Sequence, residues 1–469
     1  MRAEVLSALP RTIEDVAAAT GGSLGASRPL GGAPFTGVSI DSRTLGPGAL
    51  FVAIAGPRFD GHDFLEEAAR HGAVAALVHR EVRAPEGLEL VRVPDTTKAL
   101  ADLARQVRQA AGVPVVGITG STGKTTTKEM AAAILETRGP VLRTEGNLNN
   151  RYGLPLTLLR LEAQHTAAVL EMGMSAAGEL RVLADVARPD VAVITNVAPV
   201  HLEFFESVDA IARAKAEILE GLAPGGAAVL NGDDPRLRRL GEARRGRCVW
   251  FGRDRAFDVS AEGWKGTAFG MRFDLRVGGR SVDVALPMGG LHVLSNFLAA
   301  AAAAHALGIE ATAMAEAALH MKAARHRGEV LRLEGGVTLL DDCYNSNPVA
   351  VEAAVATLGM AAGRRRVAVL GDMLELGPAA AEIHRATGEG VAEKLDALVG
   401  VGPLSVGFLE GAAKGGATLA HFPDAAAAAA AISGLVRAGD AVLVKGSRGV
   451  RLEAVVEALV RDFGPAQGT

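Results

Sequence analysis

The stretch Val113-Pro114-Val115-Val116-Gly117-Ile118-Thr119-Gly120-Ser121-Thr122-Gly123-Lys124-Thr125 decides the fold. Its first half is apolar and β-branched and runs into a glycine turn, so it reads as a strand. Thr125 to Glu136 follow with helical spacing. Between a strand and a helix, glycines let backbone N–H groups turn inward around phosphate oxygens, and the helix N-terminus adds a positive partial charge. Gly120, Ser121, Thr122, Gly123, Lys124, Thr125 and Thr126 are therefore the candidate phosphate-binding residues. Lys124 can reach the terminal phosphates, and the Thr125 hydroxyl can ligate Mg²⁺. The pattern is a shortened one, because Ile118 stands where the standard form carries glycine or alanine. A glycine-rich turn with a chance lysine is the plain alternative, and the strand–loop–helix context weighs against it.

Downstream of this loop, short apolar runs alternate with helix-like segments. Ala167–Leu170, Val191–Ile194 and Ala227–Leu230 are strand candidates. Such alternation predicts a doubly wound, mostly parallel sheet with helices on both faces. Residues 254–286 alternate polar and apolar with turn signals between, which predicts a small antiparallel insertion. Upstream, Leu50–Ile54, a helix over Asp63–His71 and Ala73–Val78 make a small α/β part of their own. From near Arg325 onward, Val337–Leu340, Val367–Leu370, Ala397–Val401 and Ala441–Val444 predict a second, smaller open sheet of Rossmann-like α/β type. The expected domains are residues 1–109, 110–323 and 324–469. The alanine runs Ala299–Ala304 and Ala425–Ala431 read as helix filler.

Composition narrows the function. The 469 residues carry 49 basic and 53 acidic side chains, a net charge of -4, so no basic excess exists to neutralise nucleic-acid phosphates. Mean hydropathy is +0.22, but the excess is alanine, and no run approaches the ~20 apolar residues of a spanning helix. Two cysteines suit a reducing compartment. The N-terminus MRAEVLSALPRTIEDVA has acids where a signal peptide has its apolar core. The expectation is a cytoplasmic protein with no membrane insertion and no nucleic-acid partner.

Three more residues follow from position. Glu171 comes directly after the strand Ala167–Leu170, Asn196 after Val191–Ile194, and His201 shortly beyond. Open α/β sheets bind ligands at the carboxyl ends of their strands. A carboxylate and an imidazole delivered there, beside a phosphate loop, look like metal ligands. Alone, each is ordinary: a solvated glutamate, a structural histidine. Lys215, within Arg213-Ala214-Lys215-Ala216-Glu217-Ile218, reads by itself as a solvated charge on a helix surface.

The order Gly120–Thr125, Asn147-Leu148-Asn149-Asn150, Glu171-Met172-Gly173, Thr195-Asn196-Val197, His201, Ala214-Lys215-Ala216-Glu217 and His292…Asn296 resembles the Mur ligases. These are ATP-dependent amide ligases of peptidoglycan precursor synthesis, and the resemblance runs over nearly the whole chain. Asp342-Cys343-Tyr344-Asn345-Ser346-Asn347-Pro348, Gly371-Asp372-Met373-Leu374-Glu375-Leu376-Gly377 and Val444-Lys445-Gly446-Ser447-Arg448 are similar to the member that adds D-Ala-D-Ala to a UDP-muramoyl tripeptide. The Asp-Asn-Pro-Arg motif of the sister that adds diaminopimelate or lysine is absent. The resemblance implies that the N-terminal domain holds the UDP end of the substrate through Ser42 and Arg43, within Ser39–Arg43 and followed by Asp60–Phe64. It implies an adenine contact at Asn296, with Val293 where many members carry a second asparagine. Arg327 matches an arginine that reaches the nucleotide phosphates, and Asp342 an acid near ribose and phosphates. Thr125, Glu171, His201 and Lys215 form the implied metal set for two Mg²⁺, with Lys215 carbamylated, and Lys124, Lys215 and His201 the implied catalytic residues.

The chemistry implied is acyl activation. Phosphorylating a carboxylate with ATP gives an acyl phosphate, and an amine then displaces phosphate through a tetrahedral intermediate. The third domain is expected to hold the dipeptide and to close on ATP by a hinge around residues 321–329. A monomer is expected. Alternatives are another Mur-type or a folylpolyglutamate-like ligase with a different amine, a nucleotide-binding switch without ligase activity, and a phosphotransfer kinase.

Overall fold

The computed structural model describes residues 12–24, 35–199, 203–361 and 365–466. Its strands form three sheets. The first has five: β1 (Ser23–Leu24), β2 (Val38–Ser39), β3 (Leu50–Val52), β4 (Ala75–Val78) and β5 (Glu89–Arg92), ordered β1-β5-β4-β3-β2. β2 through β5 are parallel and β1 runs against β5.

The second sheet has nine strands. They are β6 (Val115–Thr119), β7 (Val141–Arg143), β8 (Ala167–Glu171), β9 (Val191–Ile194), β10 (Ala227–Asn231), β11 (Cys248–Gly252), β12 (Val259–Thr267), β13 (Gly270–Val277) and β14 (Arg280–Leu286). Their order is β14-β13-β12-β11-β10-β9-β6-β8-β7. β6, β8 and β9 are buried at every position, the run of apolar residues that a sheet covered on both faces needs. The expected antiparallel insertion exists as β12–β14, but it extends this sheet, because β12 pairs in parallel with β11. Both tryptophans of the chain, Trp250 and Trp264, lie in β11 and β12.

The third sheet has β15 (Glu329–Leu333), β16 (Val337–Asp342), β17 (Arg365–Gly371), β18 (Ala397–Val401), β19 (Thr418–Phe422) and β20 (Asp440–Lys445), ordered β15-β16-β20-β17-β18-β19. Only β15 is antiparallel to its neighbour. One layer beneath it contains Val369, Val399, Val444, Ile432 and Leu459; the other contains Leu340, Leu370, Val355 and Phe408. Asn347 caps the helix Pro348–Leu358 by accepting from the Ala350 N–H, with proline in the first turn where no N–H is needed.

Ala299–Ala304 are not filler. They are fully buried in the helix Leu291–Ala306, which packs against the helix Lys124–Leu135 of the phosphate loop. Small side chains let the two backbones approach closely. By compactness the residues form two units, one of 1–119, 138–192 and 217–227, the other of 120–137, 193–216 and 228–469.

Candidate active site

In the second unit the loop Gly120–Gly123 opens onto the helix Lys124–Leu135, and no side chain caps that helix. The N-terminal turn thus keeps the character of an anion site. Asn196 organises the loop: its carbonyl oxygen accepts from the Ser121 N–H at 3.1 Å, and its side-chain oxygen from the Thr122 N–H at 3.0 Å. Its amide donates to the Thr122 hydroxyl at 2.7 Å. The Ser121 hydroxyl donates to the Ala198 carbonyl and accepts from the Ala198 N–H.

The glycines are required by contact. A methyl group at Gly120 would overlap the Thr195 hydroxyl, and one at Gly123 (φ +78°) would overlap the Asn296 side chain. Asn296 is therefore brought onto the phosphate loop itself. Lys124 is half-buried, not the fully solvent-facing residue of an open loop, and its ammonium donates to the Gly120 carbonyl at 2.8 Å. Thr125 is buried and Thr126 half-buried.

Lys215 differs most from its expected surface place. It sits in the helix Val208–Ala216 and is 2 % exposed. It has no hydrogen-bonding or ionic partner among the described residues. Burial first, and the charge of Lys124 second, hold its amine well below the usual lysine range. His201 lies outside the described residues.

The carboxyl edge of the third sheet adds to the second unit. Asp342 ends β16 and is in register with Lys445, which ends β20; their side chains pair at 2.6 Å and Lys445 is buried. Arg327 stacks its guanidinium 3.8 Å from the centre of the Tyr344 ring, and Arg448 lies 5.1 Å from the same ring. His292 belongs with them. Its Nδ1 is buried without a hydrogen-bond partner among the described residues. Burial lowers its pKa, Asp342 opposes that shift and Lys445 adds to it, so its ring lies within the field of both. Past β17, an open depression of about 600 Å³ is lined by Glu203, Met373, Glu375, Leu376, Pro378 and Leu404.

In the first unit, Glu171 ends β8 in register with Ile118, two residues ahead of the loop. Its carboxylate is buried and accepts from the Asn149 amide at 2.8 Å. Ser42 is also buried, its hydroxyl donating to Glu67, while Arg43 forms a two-pronged pair with Asp41 at 2.9 and 2.8 Å. That pair holds the Asp41 carboxyl down to about 2. His62 is buried between Asp60, which accepts at 2.5 Å, and the His79 N–H, which donates to its Nε2 at 3.0 Å.

Sequence reasoning assigned no individual role to Lys445, His292 or Asn149, and placed Asn196 at a strand end without saying what it would hold. For Lys445 a signal existed, a lysine directly after an apolar run. For His292 the only signal was its place in the His292…Asn296 motif, since its surroundings come from residues far along the chain.

Comparison with known proteins covers all three sheets. Residues 34–108 match the Mur ligase family catalytic domain, 118–304 the Mur ligase middle domain, and 326–448 the Mur ligase glutamate ligase domain. The UDP-N-acetylmuramoyl-tripeptide–D-alanyl-D-alanine ligase of Escherichia coli K12 is 39% identical over 90% of this chain and 93% of its own. A crystal structure of MurF from Acinetobacter baumannii is similar with a TM-score of 0.90 and 33% identity, covering 97% of this chain and 99% of that one. MurF ligase from Thermotoga maritima in complex with ADP is similar with a TM-score of 0.81 and 32% identity, covering 91% and 97%. The chain belongs to the Mur ligase family.

Proposed function

We propose that this protein joins D-alanyl-D-alanine to UDP-N-acetylmuramoyl-tripeptide with ATP, in peptidoglycan precursor synthesis. The observation that carries the reading is likeness along the whole chain, 39% identity over 90% of it, to an enzyme of that name. The ADP complex of a similar ligase supports ATP as the nucleotide.

The terminal carboxylate of the tripeptide is a poor acyl donor, because its leaving group is oxide. It attacks the γ-phosphorus of ATP, and ADP departs, leaving an acyl phosphate. The dipeptide amine then attacks the acyl carbon. The tetrahedral intermediate collapses with loss of inorganic phosphate and a proton, and the amide remains. Two anions meet in the first step, so positive charge must be supplied. Lys124 supplies it by exchanging the Gly120 carbonyl for the γ-phosphate. Asn196 holds the loop in shape, Asn296 contacts the adenine, and Arg327 leaves the Tyr344 ring for the phosphates. Asp342, already gripped by Lys445, faces ribose and phosphate.

Thr125, Glu171, His201 and a carbamylated Lys215 are the residues proposed for Mg²⁺, which when bound offsets phosphate charge. The buried Thr125 hydroxyl and Glu171 carboxylate are hard oxygen donors of the kind it takes. A lysine ammonium repels a cation. A neutral amine instead attacks CO₂, loses a proton and becomes an anionic oxygen ligand. The buried, depressed amine of Lys215 suits that reaction.

Residues 1–109 hold the UDP end through Arg43 and the Ser42 turn, residues 110–323 hold ATP, and residues 324–469 hold the dipeptide. For the dipeptide, the depression after β17 offers two carboxylates, Glu203 and Glu375, to an ammonium, and Met373, Leu376 and Leu404 to two methyl groups. The protein works as a cytoplasmic monomer with small-molecule substrates. Among the described residues no helix is long and apolar enough to cross a membrane.

The test is phosphate release from ATP with the UDP-muramoyl tripeptide and a panel of amines. Release that depends on D-Ala-D-Ala is expected. Release dependent on diaminopimelate, lysine or glutamate instead would assign another amine, and ADP formation with no amine at all would point to a kinase.

A further inference from the structure

The turn Asp372–Gly377 forms one wall of the depression after β17, and besides backbone bonds between Asp372 and both Val401 and Ser447, three bonds that involve side chains hold it. The Ser405 N–H donates to Asp372 Oδ1 at 2.8 Å, and the Leu374 N–H to Ser447 Oγ at 3.0 Å. The third bond is of a different kind. The Met373 N–H donates at 2.9 Å to Nε2 of His384, a buried residue in the helix Ala380–Val391. On its other side His384 Nδ1 faces the Ala380 carbonyl at 2.6 Å, and its ring packs on Phe408 at 4.7 Å between centres. A carbonyl only accepts and an N–H only donates, so one tautomer is possible: proton on Nδ1, lone pair on Nε2. The turn needs such a hold, since Glu375 adopts φ +63°, a conformation a non-glycine residue does not keep unaided.

We propose that His384 is a positioning residue for the amine substrate, fixing through its Nε2 lone pair the turn whose Met373, Glu375 and Leu376 receive the dipeptide. This rests on the reading that the depression is the dipeptide subsite. Nothing about ATP or the UDP-linked substrate depends on it. Burial holds the imidazole below its usual pKa, with the nearby Asp372 carboxylate opposing the shift, so the ring stays neutral at physiological pH. A second proton would place Nε2–H against the Met373 N–H and release the turn.

Two substitutions of similar polarity separate positioning from general structure. Asparagine at 384 keeps a donor for the Ala380 carbonyl but is too short to reach Met373. Glutamine is long enough for its carbonyl oxygen to accept that N–H. Initial rates are measured against each of the three substrates in turn. His384→Asn is expected to raise KM for D-Ala-D-Ala about tenfold, the worth of one buried hydrogen bond, while the KM values for ATP and UDP-muramoyl tripeptide stay within about twofold. His384→Gln is expected to recover most of the loss. Amide hydrogen exchange gives a readout free of catalysis: Met373 and Leu374 exchange faster in His384→Asn, while β17 and β20 stay protected. An unchanged dipeptide KM, an equal rise for all three substrates, Gln performing no better than Asn, or unchanged exchange at Met373 each overturns the proposal. Leu404→Trp, which fills the depression, is run alongside. If it leaves dipeptide KM unaltered, the subsite reading falls and the proposal with it. If it raises dipeptide KM and His384→Asn does not, the positioning role alone falls.

Discussion

A lysine buried without a partner among the described residues, as Lys215 is, works against the fold that contains it. Its folded-state amine titrates below the unfolded value of about 10.4, so between the two values the unfolded chain binds more protons. Stability therefore rises with pH across that window. The destabilisation is complete below the folded pKa and vanishes above the unfolded one. Lys215→Met is expected to raise the thermal midpoint near pH 7 in CO₂-free buffer without Mg²⁺, with the gain shrinking as pH approaches 10. Its ligase activity should fall at least about a hundredfold. Thermal scans across pH check the first part; a gain that grows with pH would reverse the sign argued. Lys215→Ala with added formate or acetate checks the second, because a small carboxylate can fill the place of a carbamate. Loss of activity that no anion relieves would count against carbamylation. Lys124→Ala behaves differently. That ammonium is half-buried and bonded to a backbone carbonyl, so turnover should drop by about a thousandfold while the thermal midpoint barely moves.

Among elements, the phosphate loop is constrained from outside more than from within. Thr195 and Asn196 follow β9, and Asn296 comes from a helix that starts at Leu291, yet all three shape the loop. Gly123→Ala is expected to weaken ATP binding and lower stability through both the Asn296 overlap and the positive φ, by about 2 kcal/mol in denaturant unfolding. Adding Asn296→Ala removes the overlap but not the backbone strain, so the pair should regain only part of the loss. Full recovery, or none, would show that one of the two causes suffices.

The loop itself was legible from sequence because strand, turn and helix are local: the expected strand Val113–Thr119 is β6 with two residues trimmed, and the helix begins at Lys124 where Thr125 was expected. β18 was read to the residue. β15 and β19 were missed. Both are edge strands, β15 interrupted by the charged Glu329 and Arg332 and β19 with three exposed positions, so no continuous apolar run marks them. The burial of Lys215 and the surroundings of His292 were equally invisible, because they depend on which distant segments pack against them. The alanine run misled for the opposite reason: high helix propensity explained Ala299–Ala304 well enough to hide their packing role.

At the scale of the whole molecule, activation of a carboxylate as an acyl phosphate demands that water be kept out. Residues 321–329 join the second sheet's chain to the third, and they include His326 at φ +63° and Gly328 at φ +76°. Two positive-φ residues in so short a link give it turning points, and Arg327 lies between them. Saturating a non-hydrolysable ATP analogue and the UDP-muramoyl tripeptide should reduce the radius of gyration in small-angle scattering. An unchanged radius under both ligands would argue that the domains do not close.

The placement of both tryptophans in β11 and β12 has an optical consequence. Intrinsic emission excited selectively at indole arises from that one stretch of the second sheet, and no strand of the third carries an indole. A fluorescence melting curve is therefore weighted towards the second sheet, and ligand titrations followed this way have no indole beside Asp342 and Lys445 on the carboxyl edge of the third. Tyr344, with the guanidiniums of Arg327 and Arg448 near its ring, is the natural position for a second fluorophore. With indole at that position, departure of Arg327 towards a nucleotide becomes a colour change, and the chain acquires a built-in gauge of ATP arrival.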